Sequence, residues 1–168
     1  MKNQEMNLMQ DNIFLALGSN KGDRLSYLNN ALIELENNGI KVIKKSSILE
    51  TKAYGVENQD NFLNMAIQIS CDLSPENLLI TIKNIEKKVG RTPSFKWGPR
   101  EIDIDIIYYN NLILNKTIEK NFQLIIPHPD LHNRNFVLIP LTEIAPNFIH
   151  PVLQKTNSAL LESLNTTF

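Results

Sequence analysis

One stretch constrains this chain more than any other: Lys96-Trp97-Gly98-Pro99-Arg100-Glu101-Ile102-Asp103-Ile104-Asp105-Ile106. Its second half alternates strictly. On a strand, Ile102, Ile104 and Ile106 point to one face, and Asp103 and Asp105 to the other. Aspartate has poor β propensity, so two on one face of a strand need a reason. Gly98-Pro99 starts the strand at a rigid turn. The next residue on the aspartate face, Ile107, is apolar, so that face is not simply solvated. Two carboxylates so placed can hold one or two small cations between them. Mg²⁺ suits the pair, because it takes one or two carboxylates, keeps several waters and draws its other ligands from phosphates. Trp97 and Arg100, just upstream, offer a stacking surface and a phosphate clamp. The structural alternative is that Asp103 and Asp105 form the wet face of an edge strand.

The rest of the chain can supply a core for such a strand. Its 168 residues suit one domain, with residues 1–11 expected as a loose polar tail and residues 12–168 as the single domain. A net charge of −1 speaks against a nucleic acid or an anionic membrane as partner. No apolar run approaches a membrane span. Cys71 is the one cysteine, so there is no disulfide framework, and its neighbours Ile67 and Ile69 make it a buried structural thiol. A cytoplasmic monomer is the simplest expectation.

Taken in order, residues 13–17 read as a buried strand, stopped by a turn with two glycines but no Walker signature. Asp23 caps a helix through residue 38, with Leu25, Leu28, Ala31, Leu32 and Leu35 as its apolar stripe and Gly39 closing it in a left-handed turn. Residues 40–51 read as one β-branched strand, 52–61 as a polar loop, and 62–71 as the next strand. Ser74-Pro75 starts a helix that Gly90 closes. Glu86 borders that helix's apolar stripe and is either a surface charge or a group leaning toward the next loop. After the aspartate strand, Asn110-Asn111 predicts a hairpin turn with residues 112–114 returning. Residues 124–126 form a further short strand, ended by Pro127-His128-Pro129. Residues 136–145 and 158–164 supply helical segments. The order up to residue 109 is β-α-β-β-α-β, which predicts an α+β, ferredoxin-like antiparallel sheet with packed helices and a C-terminal extension. On this reading the first and fourth strands are central neighbours, which puts Asp103 and Asp105 in mid-sheet.

Several motifs recur in the order and spacing of one family. They are Leu17-Gly18-Ser19-Asn20, Phe62-Leu63-Asn64, Gly90-Arg91, Trp97-Gly98-Pro99-Arg100, Asp103-x-Asp105, Pro127-His128-Pro129 and Arg134-x-Phe136. From about residue 13 to residue 151 the chain resembles the 6-hydroxymethyl-7,8-dihydropterin pyrophosphokinases of the folate pathway. The resemblance implies transfer of a pyrophosphoryl unit from ATP to the hydroxymethyl oxygen of a reduced pterin, with release of AMP. It implies that Asp103 and Asp105 hold two Mg²⁺ ions on the triphosphate and act in catalysis with Arg91 and Arg100. On the ATP side it places Glu86, Arg91, Lys96, Trp97, Arg100, Ile106, His128 and Arg134. On the pterin side it places Thr51, Tyr54, Gly55, Phe62, Asn64, Trp97, Asp105 and Phe136. The chain departs from better-known members at Pro93, where they carry a second basic residue. It departs also at Gln123 and Ile125, where some carry polar or basic nucleotide contacts, and at Lys52-Ala53, which replaces a proline-rich pair.

Single residues keep their structural alternatives. Arg91 can answer the carbonyls at the end of the preceding helix. His128 can brace a turn between prolines, Arg134 can be a surface cation, and Phe62 and Phe136 can be ordinary core. Two other functions stay open at this point. One is a non-catalytic ferredoxin-like binding module, including RNA-binding types, although the central strands lack interleaved aromatic and basic residues. The other is a nucleotidyltransferase that uses the same two aspartates and releases pyrophosphate.

Overall fold

The computed structural model describes residues 11–53, 58–119 and 122–166. Four helices and seven strands follow the chain among these residues. The first strand, β1 (Ile13–Ser19), is flanked on both sides, by β4 (Phe62–Ser70) and by β5 (Asp103–Tyr109), both antiparallel to it. Beyond β4 lie β2 (Lys41–Lys45) and β3 (Leu49–Thr51), giving the order β2-β4-β1-β5 with β3 also on β4. This is the ferredoxin-like order that the β-α-β-β-α-β pattern predicts. The central pair, however, is β1 and β4, not β1 and β5. The aspartate strand neighbours β1 as expected but sits at the sheet's edge, so its placement in mid-sheet is corrected.

Helices α1 (Arg24–Asn37) and α2 (Pro75–Val89) cover one face of the sheet. Their ends follow the capping signals. Asp23 accepts from the Ser26 amide, Ser74 accepts from the Asn77 amide, and Gly39 and Gly90 take positive φ. Ile102, Ile104 and Ile106 point into this core with Ile13, Leu15 and Leu17. The other face is covered by α3 (Asn135–Ile144) and α4 (Asn157–Asn165), so the C-terminal extension supplies a third layer. Phe14, Ile107, Tyr108, Leu138 and Leu160 fill the core on that side.

The switch between faces happens at a bulge in β5. Leu15 pairs with Ile106 and Phe14 with Tyr108, which leaves Ile107 as an extra residue. Ile107 and Tyr108 therefore both face α3 and α4, following Asp103 and Asp105 on the same side. Two readings of local structure are corrected. Residues 40–51 form two strands, because Ser46 breaks the run and Glu143 of α3 takes both the amide and the hydroxyl of Ser47, at 3.0 and 2.8 Å. The hairpin lies not at Asn110-Asn111 but between β6 (Leu114–Ile118) and β7 (Phe122–Ile126), which pair with each other. Leu114, Ile118, Leu124 and Ile126 pack into the core on the α1–α2 side. The amide of His128 bonds the Ile107 carbonyl at 3.0 Å, capping part of the outer edge of β5.

Candidate active site

The site grows out of what β1 lacks. On the α1–α2 face β1 carries Ile13, Leu15 and Leu17, but on the other face Phe14 gives way to Ala16 and Gly18. In register across the sheet, Asn64, Gly18 and Asp103 form one row, and Ala66, Ala16 and Asp105 the next. Two nearly bare residues thus lie between the amide of Asn64 and the two carboxylates. They form the floor of a cavity of about 130 Å³. Thr51, Phe62, Asn64, Trp97, Arg100, Asp103, Asp105, Arg134 and Phe136 line it. A Cβ on Gly18 would lie 3.3 Å from Asn64 Oδ1 and 3.5 Å from the Phe62 ring, so glycine keeps this floor open.

One side of the cavity is charged. Asp103 accepts from Arg91 at 3.0 Å through one oxygen and from Arg100 at 2.9 Å through the other. Arg91 also meets Glu86, which is buried at the end of α2 and bonds Lys83 Nζ at 2.7 Å. Burial raises the Glu86 carboxyl above its ordinary range, and Lys83 works against that rise. Asp105 accepts no hydrogen bond from a described residue. Burial, and then the charge of Asp103, push its carboxyl up to about 7. His128 is lowered to about 4, first by burial and then by Arg134. Its Nδ1 accepts from the Asp130 amide at 3.1 Å, so the neutral ring carries its proton on Nε2 and offers a donor rather than a charge. Arg134 Nε bonds Asp130 at 3.0 Å, and its guanidinium lies 5.8 Å from the Phe136 ring centre.

The other side is polar and aromatic. Asn64 Nδ2 donates to Thr51 Oγ1 at 2.8 Å, which fixes the amide and leaves Oδ1 facing Gly18. Trp97 stands at the rim, 42% exposed, with φ of +64°. Lys96 Nζ lies 5.6 Å from the Trp97 ring centre, outside the cavity lining.

The loop that carries Arg91 and Trp97 is fastened by a buried carboxylate. Glu101 accepts from the Thr92 amide at 3.2 Å and hydroxyl at 2.5 Å, and pairs with Lys21 at 3.0 Å. Burial alone would raise its carboxyl, but these donors outweigh burial and hold it at about 2. A carboxyl lowered in the folded state stabilises above its unfolded range near 4.5, and that stabilisation is lost as pH falls through 2. Glu101→Gln is therefore expected to cost about 2 kcal/mol at pH 7. In urea unfolding the gap from the parent protein should narrow below pH 4.5. A gap unchanged at pH 3 would contradict this account.

Most of the residues expected from the sequence meet here. Thr51, Phe62, Asn64, Trp97, Arg100, Asp103, Asp105, Arg134 and Phe136 share the cavity. Glu86 and Arg91 join through Asp103, so Arg91 answers side chains rather than helix carbonyls, and Glu86 is no surface charge. Ile106 faces the α1–α2 core, away from the two aspartates. Tyr54 and Gly55 lie outside the described residues. Sequence reasoning missed Lys83, the cation whose charge most opposes the rise at Asp105. A signal existed, because Lys83 lies one helical turn before Glu86. It also missed Ala16 and Gly18, whose smallness on alternate positions of β1 is legible once the strand's two faces are separated.

Asp103 and Asp105 fit a hard divalent cation. They share one wall of a polar cavity, and Asp105 has acceptor capacity that no described residue uses. Among the described residues no group of three or more His, Cys, Asp or Glu could hold a metal by itself, so such an ion would need ligands from water or phosphate.

The family model described as 7,8-dihydro-6-hydroxymethylpterin-pyrophosphokinase matches residues 14–146. The chain is 47% identical over 143 residues to the 2-amino-4-hydroxy-6-hydroxymethyldihydropteridine pyrophosphokinase of Aquifex aeolicus, covering 85% of this chain and 86% of that one. It is 45% identical over 137 residues to the enzyme of the same name from Bacillus subtilis, covering 81% and 79%. Among solved structures it resembles Plasmodium falciparum HPPK-DHPS with pteroate, with a TM-score of 0.73 and 17% identity. That match covers 91% of this chain and 44% of the solved one, so the chain spans less than half of it and the likeness is one of fold. No helix among the described residues is long and apolar enough to cross a membrane.

Proposed function

Because the chain belongs to the 7,8-dihydro-6-hydroxymethylpterin-pyrophosphokinase family, we propose that it transfers the terminal pyrophosphoryl unit of ATP to the hydroxymethyl oxygen of 6-hydroxymethyl-7,8-dihydropterin, in the cytoplasm and as a monomer. It is a diphosphotransferase of folate synthesis. The observation that carries the mechanism is the division of the cavity. Carboxylates and guanidinium groups stand on one side, and a fixed amide with aromatic rings on the other.

The pterin lies over Ala16 and Gly18 with one ring face under Trp97. Asn64 Oδ1 accepts from the amino-pyrimidinone edge, since its Nδ2 is committed to Thr51. Phe62 and Phe136 flank the ring. This places the hydroxymethyl group toward Asp105. The triphosphate lies along the charged side, where Arg91 and Arg100 exchange Asp103 for phosphate oxygens and Arg134 approaches the transferred unit. His128 donates from Nε2 without adding charge. The base of the nucleotide reaches toward Glu86. Two Mg²⁺ ions on Asp103 and Asp105 would supply charge neutralisation on the phosphate oxygens and polarise the hydroxymethyl group. The residues themselves do little covalent chemistry. They align the attacking oxygen with the phosphorus and keep water out.

Incubation with ATP, Mg²⁺ and the pterin tests the reading. Equal yields of AMP and pterin diphosphate are expected, with neither formed when a chelator is present. Pyrophosphate without AMP would instead identify a nucleotidyltransferase, and no product would leave a binding module.

Trp97→Ala should raise the pterin KM about tenfold or more, as loss of an aromatic stacking surface does. With 42% of the residue exposed, thermal stability should change little. A sharp fall in melting temperature with an unchanged pterin KM would make the indole a structural residue instead.

A further inference from the structure

Outside the cavity lining, a buried asparagine ties together the two halves of the site. Asn20 is 1% exposed. Its amide nitrogen donates to the Arg100 carbonyl at 3.0 Å, and its Oδ1 accepts from the Arg100 amide at 2.8 Å. Its Nδ2 donates to Gln59 Oε1 at 3.0 Å and to the Asp60 carbonyl at 3.2 Å. Gln59 Nε2 in turn donates to the Trp97 carbonyl at 2.8 Å. A buried amide is expensive unless its hydrogen bonds are made, and here donors and acceptor are all engaged across three separate segments.

The ends of this chain of bonds are the residues whose placement matters most. Trp97 has φ of +64°, a left-handed conformation that a bulky residue holds only when its surroundings impose it. Part of that imposition is steric. A Cβ on Gly98 would lie 2.3 Å from Ser94 Oγ and 2.9 Å from the Phe95 carbonyl, so the turn after Trp97 is already full. The bond from Gln59 to the Trp97 carbonyl adds to it. At the other end, the two bonds from Asn20 fix the backbone from which the Arg100 guanidinium reaches Asp103.

We infer that Asn20 and Gln59 are positioning residues that form a relay between Trp97 and Arg100, so that the ring-binding and phosphate-binding sides of the cavity take up their working geometry together. The catalytic consequence rests on the pyrophosphokinase reading; the structural relay does not. Neither residue lines the cavity, so each acts through the residue it holds. Engagement of a ring under Trp97 pulls on Gln59 and Asn20 and steadies the Arg100 backbone, and phosphate held by Arg100 steadies Trp97 in return.

Trp97 is the only tryptophan in the chain, so its fluorescence reports the relay with no substrate present. Acrylamide quenching is compared in the parent protein, Gln59→Ala, Asn20→Asp and the double variant. Asp at position 20 keeps an acceptor for the Arg100 amide and loses both donors. Quenching should increase in Gln59→Ala. It should also increase in Asn20→Asp, which keeps the acceptor for the Arg100 amide but breaks the side-chain link to Trp97 that runs through Gln59. In the Gln59→Ala background, Asn20→Asp should add nothing further. In the AMP-release assay, Gln59→Ala should raise the pterin KM about tenfold, the loss expected for one well-placed hydrogen bond, with a much smaller change in the ATP KM. Parent-like quenching in Gln59→Ala overturns the relay, and so do independent, additive effects in the double variant. If the parent protein releases no AMP, the functional reading fails while the quenching cycle still decides the relay.

Discussion

Asp103→Ala and Asp105→Ala are each expected to lower turnover about a thousandfold or more, the scale of several kcal/mol that a lost metal ligand removes from a phosphoryl-transfer transition state. The two should fail differently. Asp105 accepts no hydrogen bond from a described residue, so its removal leaves no donor stranded. Asp103 is the shared acceptor of Arg91 and Arg100. Its removal leaves two guanidinium groups to repel each other or turn toward Glu86, and stability should drop with activity. Steady-state AMP release at saturating Mg²⁺, beside thermal unfolding of the same samples, separates the two effects. Turnover close to the parent in either variant would end the assignment of these carboxylates.

Asp105→Asn should make the metal-free protein more stable at pH 8 while leaving it inactive. The folded carboxyl titrates near 7 and the ordinary one near 3.8. A group raised in the folded state contributes stability that is fully present below its unfolded value and is lost as pH rises through its folded value. Above pH 7 the parent therefore carries a charge that the fold disfavours. Its cost is about 2 kcal/mol once discounted for the cavity's contact with water. Asparagine has the same shape and no charge. In the presence of a chelator the variant should melt several degrees higher at pH 8, and the two proteins should converge toward pH 4. Adding Mg²⁺ should then stabilise the parent and not the variant. A variant that is less stable at pH 8 would show that the Asp105 charge is well accommodated without metal.

What the sequence made legible is what local rules decide. Asp23, Ser74 and Gly39 marked helix ends because capping involves neighbours along the chain. The alternation from Ile102 to Asp105 marked a strand because its period is local too. Sheet order is different. Whether β5 lies in the centre or at the edge depends on the register of Ile13 with Ile69, residues far apart in sequence, and nothing near Asp103 encodes it. Ser46 broke an apparently continuous strand through contacts with distant residues, notably that of its neighbour Ser47 with Glu143. For the site, the charged and aromatic residues were visible because their chemistry is unusual. The cavity itself was not, because Ala16 and Gly18 make it by having almost no side chain. Lys83 was overlooked because a lysine on a helix is ordinarily solvated, and only the fold brings it against Glu86 and near Asp105.

The extra residue in β5 has a consequence for which length changes the chain can tolerate. Upstream of it lie the two aspartates; immediately downstream lies Tyr108, whose hydroxyl bonds Asn157 at 2.8 Å and so anchors the start of α4. Both sets face the same side because the bulge takes up Ile107 outside the pairing with β1. Deleting that single residue would restore regular pleating: Asp105, Ile106 and Tyr108 would then alternate, and the carboxylates and the tyrosine would still share a face. What such a deletion would remove is the Ile107 side chain from the core against α3 and α4, and the carbonyl that bonds the His128 amide. A deletion between the aspartates is different: without Ile104 the two carboxylates become neighbours along the strand and point to opposite faces, as a frameshift changes every later codon. Length changes among relatives should therefore avoid the step from Asp103 to Asp105 more strictly than the bulge at Ile107.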